Sequence, residues 1–131
     1  MVKGIGVDTV DINEVDRLVN MKGNAFLHQV FTKNEIKEYK NSSNQNEFLA
    51  TRFAAKEAVF KAVAHLTKSK SFDFRIVETL NEADGRPYVN IEGELKKILI
   101  DAGVNNILIS LTTECNLATA FVISQYIDIS K

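Results

Sequence analysis

A chain of 131 residues, 45% hydrophobic and 25% charged, fits one domain with one core and has the composition of a soluble globular protein. Its formal net charge of -1 provides no global basic field for nucleic acid, and no apolar run approaches the ~20 residues that span a bilayer. The opening MVKGIGVDTVD lacks the pattern of a signal peptide, and the single cysteine, Cys115, has no internal disulfide partner and no CxxC spacing for a metal. Cys115 therefore reads as a passive thiol in a reducing cytoplasm.

In chain order, VKGIGVD combines β-branched residues with glycines and predicts a short strand ending near Asp8. Asp11 is placed to cap a helix in which Ile12, Val15, Leu18 and Val19 recur at helical spacing, and Gly23-Asn24 ends it. AFLHQVF predicts a short helix. Thr32 and Glu35 form a capping-box pattern that starts another helix, running to about Lys40. After the polar loop NSSNQN comes the longest helix, about residues 46–66. KSKS is a second polar loop. FDFRIVET alternates, with Phe72, Phe74 and Ile76 on one side, and predicts a strand. Asp84-Gly85 signals a hairpin turn into the return strand PYVNI, where Pro87 is tolerated at the strand start. ELKKILIDAG predicts a helix with Gly103 as its C′ residue, and NNILISL and NLATAFVIS predict a hairpin across TTEC. There is no internal repeat. The expected architecture is α+β: a single compact domain, residues 1–131, with a long buried helix packed on a mostly antiparallel sheet.

The long helix poses the main question. Thirteen of the nineteen residues from 48 to 66 are Ala, Val, Leu or Phe and surround the helix axis, the pattern of a buried helix. Yet it carries Arg52, Lys56, Glu57 and Lys61. Glu57 and Lys61 fall together, beside Ala50 and Ala54, whereas Arg52 and Lys56 fall on another side. Periodicity leaves two readings of Glu57 and Lys61 open. They are a surface pair contributing only ~0.3–0.5 kcal/mol, or they line a cleft that the flanking alanines leave open. Asp8, at the end of GIGVD, is either a turn-former or N-cap, or a second carboxylate. Two carboxylates with several cations suit Mg²⁺ and a phosphorylated substrate. The spacing alone does not bring Asp8 and Glu57 together.

Four stretches, GIGVD, FLATRFAAKEAVFKA, DGRPYV and ISLTTECNLATAFVI, occur in the order found in the short, single-domain class of 4′-phosphopantetheinyl transferases, the holo-[acyl-carrier-protein] synthases, which the chain resembles over essentially its whole length. The resemblance implies that fold and a reaction. The 4′-phosphopantetheine group of coenzyme A is moved to a serine of apo acyl carrier protein, for fatty acid biosynthesis, giving holo carrier protein and 3′,5′-ADP. It implies Mg²⁺ held by Asp8 and Glu57, with Lys61 facing the phosphates. Arg52 and Lys56 match the family's basic helix positions. Gly85, Arg86 and Pro87 match a turn beside the nucleotide, and Ser110 and Thr112 a strand-end motif that helps hold coenzyme A. It also implies a homotrimer with sites at subunit boundaries. A helix apolar on all sides plus a strand-rich C-terminal half agree with this, having more apolar surface than one small core covers.

Three departures accompany the resemblance. The family's Gly-Thr-Gly after the helix is replaced by AVAHLTKSKSF, whose His65 reads as structural or solvent-facing rather than catalytic. Thr113 stands where many members carry histidine. Glu14 stands where the first helix usually presents an arginine to the acidic carrier protein; Arg17, Lys22, His28, Lys33 and Lys37 are the nearby basic groups, and Val19, Met21 and Phe26 the apolar ones expected to contribute contact. These departures keep one alternative open, a catalytically silent carrier-protein-binding module of the same fold.

Overall fold

The computed structural model describes residues 1–68 and 73–128. The elements are β1 (Val2–Asp11), α1 (Ile12–Lys22), α2 (Asn24–Val30), α3 (Lys33–Asn41), α4 (Gln45–Val63), β2 (Glu78–Asn81), β3 (Pro87–Asn90), α5 (Glu94–Ala102), β4 (Asn106–Glu114) and β5 (Leu117–Gln125). An antiparallel sheet in the order β1-β5-β4 packs one face on α4, and β2-β3 forms a separate antiparallel hairpin. The architecture is α+β with a long buried helix on an antiparallel sheet, as expected from the sequence.

The end signals work as their chemistry requires. Asp11 caps α1 by accepting from the Asn13 N–H, and Thr32 and Glu35 complete a reciprocal capping box on α3. Gly103 closes α5 in the left-handed conformation. In the β4–β5 hairpin the two-residue turn is Cys115-Asn116, with φ of 51° and 65°, the positive pair a tight hairpin favours.

Two expectations are corrected. β1 does not end near Asp8; it continues to Asp11 because β5 supplies a partner as far as Leu117, and Asp8 lies mid-strand opposite Ala120. FDFRIVET is strand only from Glu78. Phe74–Ile76 is a 3₁₀ turn capped by Asp73, and the carbonyls of Phe74 and Val77, which a strand would give to a neighbour, accept instead from Lys56 Nζ. Phe72 lies outside the described residues. The long helix is α-helical to Val63 and tightens to a 3₁₀ turn over Ala64–Leu66.

The approach of α4 to β1 is unusually close. A Cβ on Gly6 would meet the Ala58 carbonyl oxygen at 2.0 Å, and one on Gly4 would meet that of Ala62 at 2.3 Å. Helix backbone therefore rests on strand backbone, with the fully buried Ala58 and Ala62 opposite the glycines. Larger side chains fill the flanks. Val59, Val63, Val77, Leu95, Leu99 and Val122 pack between α4, α5 and the sheet. Val15, Phe26, Leu27, Phe31, Ile36 and Leu49 pack beneath α1–α3.

Gly6→Ala should destabilise the chain by about 3 kcal/mol or prevent folding, since backbone leaves nowhere for the methyl to go. Ile100→Ala, exposed on α5 and away from the sheet, should cost under about 1 kcal/mol by comparison. Urea unfolding of both variants is the check; a wild-type midpoint for Gly6→Ala would refute the close approach.

Candidate active site

Gly4, Gly6 and Asp8 share the inner face of β1, so the packing of α4 on the glycines sets the level of the aspartate. Lys61 Nζ donates to Asp8 Oδ1 at 3.1 Å and to the Val7 carbonyl at 3.0 Å. The half-buried Glu57 carboxyl has its pKa raised above the ordinary 4.5, first by burial and then by the charge of Asp8, with Lys61 partly opposing. Asp8, Glu57 and Lys61, separate in sequence, thus form one cluster at the β1–α4 junction. Among the described residues, no third His, Cys, Asp or Glu joins the two carboxylates in a metal-ligating group.

A cavity of about 250 Å³ gathers a second set: Arg52 from α4, Asn81, Gly85 and Pro87 from the β2–β3 hairpin, and Thr112 from β4. Arg52 is almost fully buried. Its guanidinium stacks on Phe48 at 4.3 Å, donates to Asn81 Oδ1 at 2.5 Å and Thr51 Oγ1 at 3.3 Å, and lies 3.9 Å from Glu38. Burial lowers its pKa, with Glu38 and Glu35 opposing, yet an arginine stays charged throughout the physiological range. Its Nε–H has no hydrogen-bond partner among the described residues. Arg86 is exposed on the turn, its backbone N–H held by Asp84 Oδ1 at 3.0 Å.

Ser110 and Thr112 both project from the outer face of the sheet, but only Thr112 lines this cavity. Thr113, on the inner face, donates to Glu47 at 2.6 Å. That pair separates the cavity from a neighbouring one of about 420 Å³ lined by Asn44, Asn46 and Cys115 among others. Glu47 and Asn81 escaped the sequence reading: one looked like an ordinary first-turn acid, the other like hairpin filler. The signal that could have found them is their closeness to the FLATRFAAKE and DGRP stretches.

Lys56 is corrected. The resemblance placed it with the basic residues that hold the nucleotide, but it is fully buried and does not line the Arg52 cavity. Its Nζ donates to Glu35 Oε1 at 2.7 Å, to the Phe74 carbonyl at 2.9 Å and to the Val77 carbonyl, so all three ammonium protons are used internally. Glu35 in turn accepts from the backbone N–H groups of Thr32 at 3.0 Å and Thr79 at 3.1 Å. Burial pulls the Lys56 pKa down, with Glu35 the main opposing influence. His65 is exposed, as expected of a solvent-facing histidine.

On α1, Arg17 is engaged by Glu14 at 2.8 Å and by Met21 Sδ at 3.2 Å. Phe26, expected to offer contact there, is buried edge-on against Phe31 at 6.0 Å, which leaves Met21 as the exposed apolar group. The outer sheet face presents three rows, Ile5–Ile123–Leu108, Val7–Phe121–Ser110 and Thr9–Thr119–Thr112. Ile5 is 63% exposed, Val7 53%, Leu108 48% and Phe121 41%.

Residues 4–121 match the 4′-phosphopantetheinyl transferase superfamily. The holo-[acyl-carrier-protein] synthase of Halothermothrix orenii is 36% identical over 125 residues, covering 95% of this chain and 98% of its own. The crystal structure of holo-[acyl-carrier-protein] synthase from Neisseria meningitidis superimposes with a TM-score of 0.86 at 31% identity, covering 95% of this chain and 99% of that one. That of Bacillus anthracis, a complex with CoA (3′,5′-ADP), does so with a TM-score of 0.76 at 27% identity, covering 96% and 98%. By its motifs, its fold and a match that runs through both halves of the candidate site, this chain belongs to the 4′-phosphopantetheinyl transferase superfamily.

Proposed function

We propose that this chain, acting as a single domain over residues 1–131, transfers the 4′-phosphopantetheine group of coenzyme A to a serine of apo acyl carrier protein, for fatty acid biosynthesis. The observation that carries the reading is the convergence of Asp8, Glu57 and Lys61 at the β1–α4 junction, with a second set gathered around Arg52 in a cavity of the same chain. In the reaction the serine oxygen forms a bond to the phosphorus bearing pantetheine, the bond from that phosphorus to the bridging oxygen breaks, and 3′,5′-ADP leaves with the bonding electrons. The serine proton passes to a base.

Asp8 and Glu57 would hold Mg²⁺, an ion that takes one or two carboxylates and completes its shell with phosphate oxygens and water. The raised pKa of Glu57, set first by burial and then by the charge of Asp8, supports the fit, because Lys61 only partly offsets them. Bound there, Mg²⁺ would offset charge on the pyrophosphate and on the leaving 3′,5′-ADP. Lys61, half exposed on a flexible stem, adds a positive charge that can turn from Asp8 to a phosphate. Arg52, Gly85, Arg86, Pro87, Ser110 and Thr112 would hold the nucleotide, while Lys56 supports the fold. Ser110 does not line its own chain's cavity, and on the outer sheet face it would reach a ligand where a neighbouring subunit completes the site. A homotrimer that covers the apolar outer sheet face would do this. The carrier protein would dock on α1 and the segment after it. A lone exposed thiol, Cys115, suits a reducing cytoplasm, and among the described residues no helix is long and apolar enough to cross a membrane.

Asp8→Ala and Glu57→Ala should each abolish the phosphopantetheine mass gain on apo carrier protein while far-UV circular dichroism stays native. Full transfer by either variant, or in excess chelator, would refute the assignment. Protonated Glu57 favours the fold below its ordinary pKa of 4.5, and that contribution is lost as pH rises through the higher folded value. Glu57→Gln should therefore leave Tm unchanged in acid and raise it at neutral pH without metal. Mg²⁺ should raise the neutral Tm of wild type but not of Glu57→Gln; equal responses would count against a shared ion.

Sedimentation of the wild type should give three times the 14.7 kDa chain mass. Phe121→Lys should give monomers that no longer transfer. A fully active wild-type monomer would exclude the trimer.

Arg17 is already neutralised by Glu14, so KM for an acidic carrier protein should rise only modestly with salt. Glu14→Arg should lower that KM. A steep wild-type salt dependence with no gain in Glu14→Arg would overturn this account of docking.

A further inference from the structure

We propose that Asn81 is a positioning residue that holds the 82–86 turn in register for the donor nucleotide by tying it to Arg52; the inference rests on the reading of the Arg52 cavity as the coenzyme A site. Two hydrogen bonds carry it. Arg52 Nη2 donates to Asn81 Oδ1 at 2.5 Å, and Asn81 Nδ2 donates to the Gly85 carbonyl at 2.8 Å. The amide orientation is fixed by chemistry, since a guanidinium only donates and a carbonyl only accepts. Asn81 thus converts a buried, helix-anchored cation into a tether for an exposed loop.

The turn has little else to hold it. Its other hydrogen bonds, among the described residues, run within 82–86: Glu82 N–H to the Arg86 carbonyl at 2.8 Å, Gly85 N–H to the Glu82 carbonyl at 2.9 Å, and Arg86 N–H to Asp84 Oδ1 at 3.0 Å. Residues 82–86 are all exposed. Gly85 has φ of 91°, and a Cβ there would meet no atom within 4 Å, so open space adjoins its backbone on the rim of the cavity. A bound 3′,5′-ADP can lie against that backbone only if the turn stays where Asn81 holds it. An untethered turn would have to be ordered by the ligand itself, which weakens ground-state binding without touching the reacting phosphorus.

Two variants separate this role from a merely structural one. Asn81→Ala removes both bonds. Asn81→Asp keeps an acceptor for Arg52, sets a carboxylate oxygen against the Gly85 carbonyl and adds a negative charge; Asn81→Ala adds none, so a loss shared by both variants reports the tether and not charge repulsion. Calorimetric titration of the full-length chain with 3′,5′-ADP should show both variants binding about tenfold more weakly, the loss of one well-placed hydrogen bond. KM for coenzyme A should rise in parallel, with kcat within about twofold and KM for carrier protein unchanged. The Tm of Asn81→Asp should stay near wild type because Arg52 keeps its acceptor. Wild-type nucleotide binding by Asn81→Asp would overturn the inference, as would a fall in kcat with KM unaltered. Failure of the wild type itself to bind 3′,5′-ADP would instead overturn the reading of the cavity, and this inference with it.

Discussion

The contact of helix backbone on strand backbone at Gly4 and Gly6 is the constraint on which the rest of the molecule depends. Along β1 each two-residue step advances about 6.8 Å, and along α4 each four-residue step advances about 6 Å. The two repeats stay nearly in phase for a short distance, so Gly4 meets Ala62 and Gly6 meets Ala58. The next inward residue of the strand is Asp8. Helix side chains lean toward the helix N-terminus, which here is the direction in which β1 runs. Lys61 therefore leans back toward Asp8 and reaches it. The glycines bring the helix close enough for this to happen, and a wider separation would move the aspartate out of the lysine's reach.

The same helix shows how burial, rather than residue type, assigns work to a charge. Lys56 and Lys61 lie five residues apart. One is sealed inside with every proton committed, and the other is half exposed on the strand it touches. Removing Glu35 would leave the Lys56 charge uncompensated in the interior, a loss of ~3–5 kcal/mol. The Glu35–Lys56 pair joins α3, α4 and the approach to β2, and so it fixes the start of the hairpin that carries Asn81 and Gly85.

Local signals in the sequence had local outcomes. Asp11, Thr32 with Glu35 and Gly103 each act within one turn of the chain, and all three helix ends were legible. The β4–β5 hairpin was legible too, although its turn proved to be Cys115-Asn116 with Thr113 and Glu114 still in strand. What failed depended on distant partners. The strand expected over FDFRIVET failed at Phe74–Ile76 because that expectation ignored a lysine some twenty residues upstream that takes the carbonyls. The end of β1 could not be placed without knowing that β5 runs alongside it. For the site, motif resemblance grouped Asp8, Glu57 and Lys61 where spacing could not, and the structure gathers the three at one junction. It misplaced Lys56 because a positive charge in a motif does not say which way it faces.

The order of the sheet has a consequence for how the chain must fold. β1 is an edge strand, and its partner, β5, lies more than 100 residues away in sequence, with Val2 opposite Gln125. A contact this remote closes slowly and is among the last a growing chain can make. During synthesis the helices emerge while the seat for α4 has only one of its three strands, and the inner faces of Gly4, Gly6 and Asp8 wait beside a sheet that does not yet exist. The cluster of Asp8, Glu57 and Lys61 is thus assembled by the last strand to arrive, and a nascent chain lacking it holds those residues without the geometry that joins them.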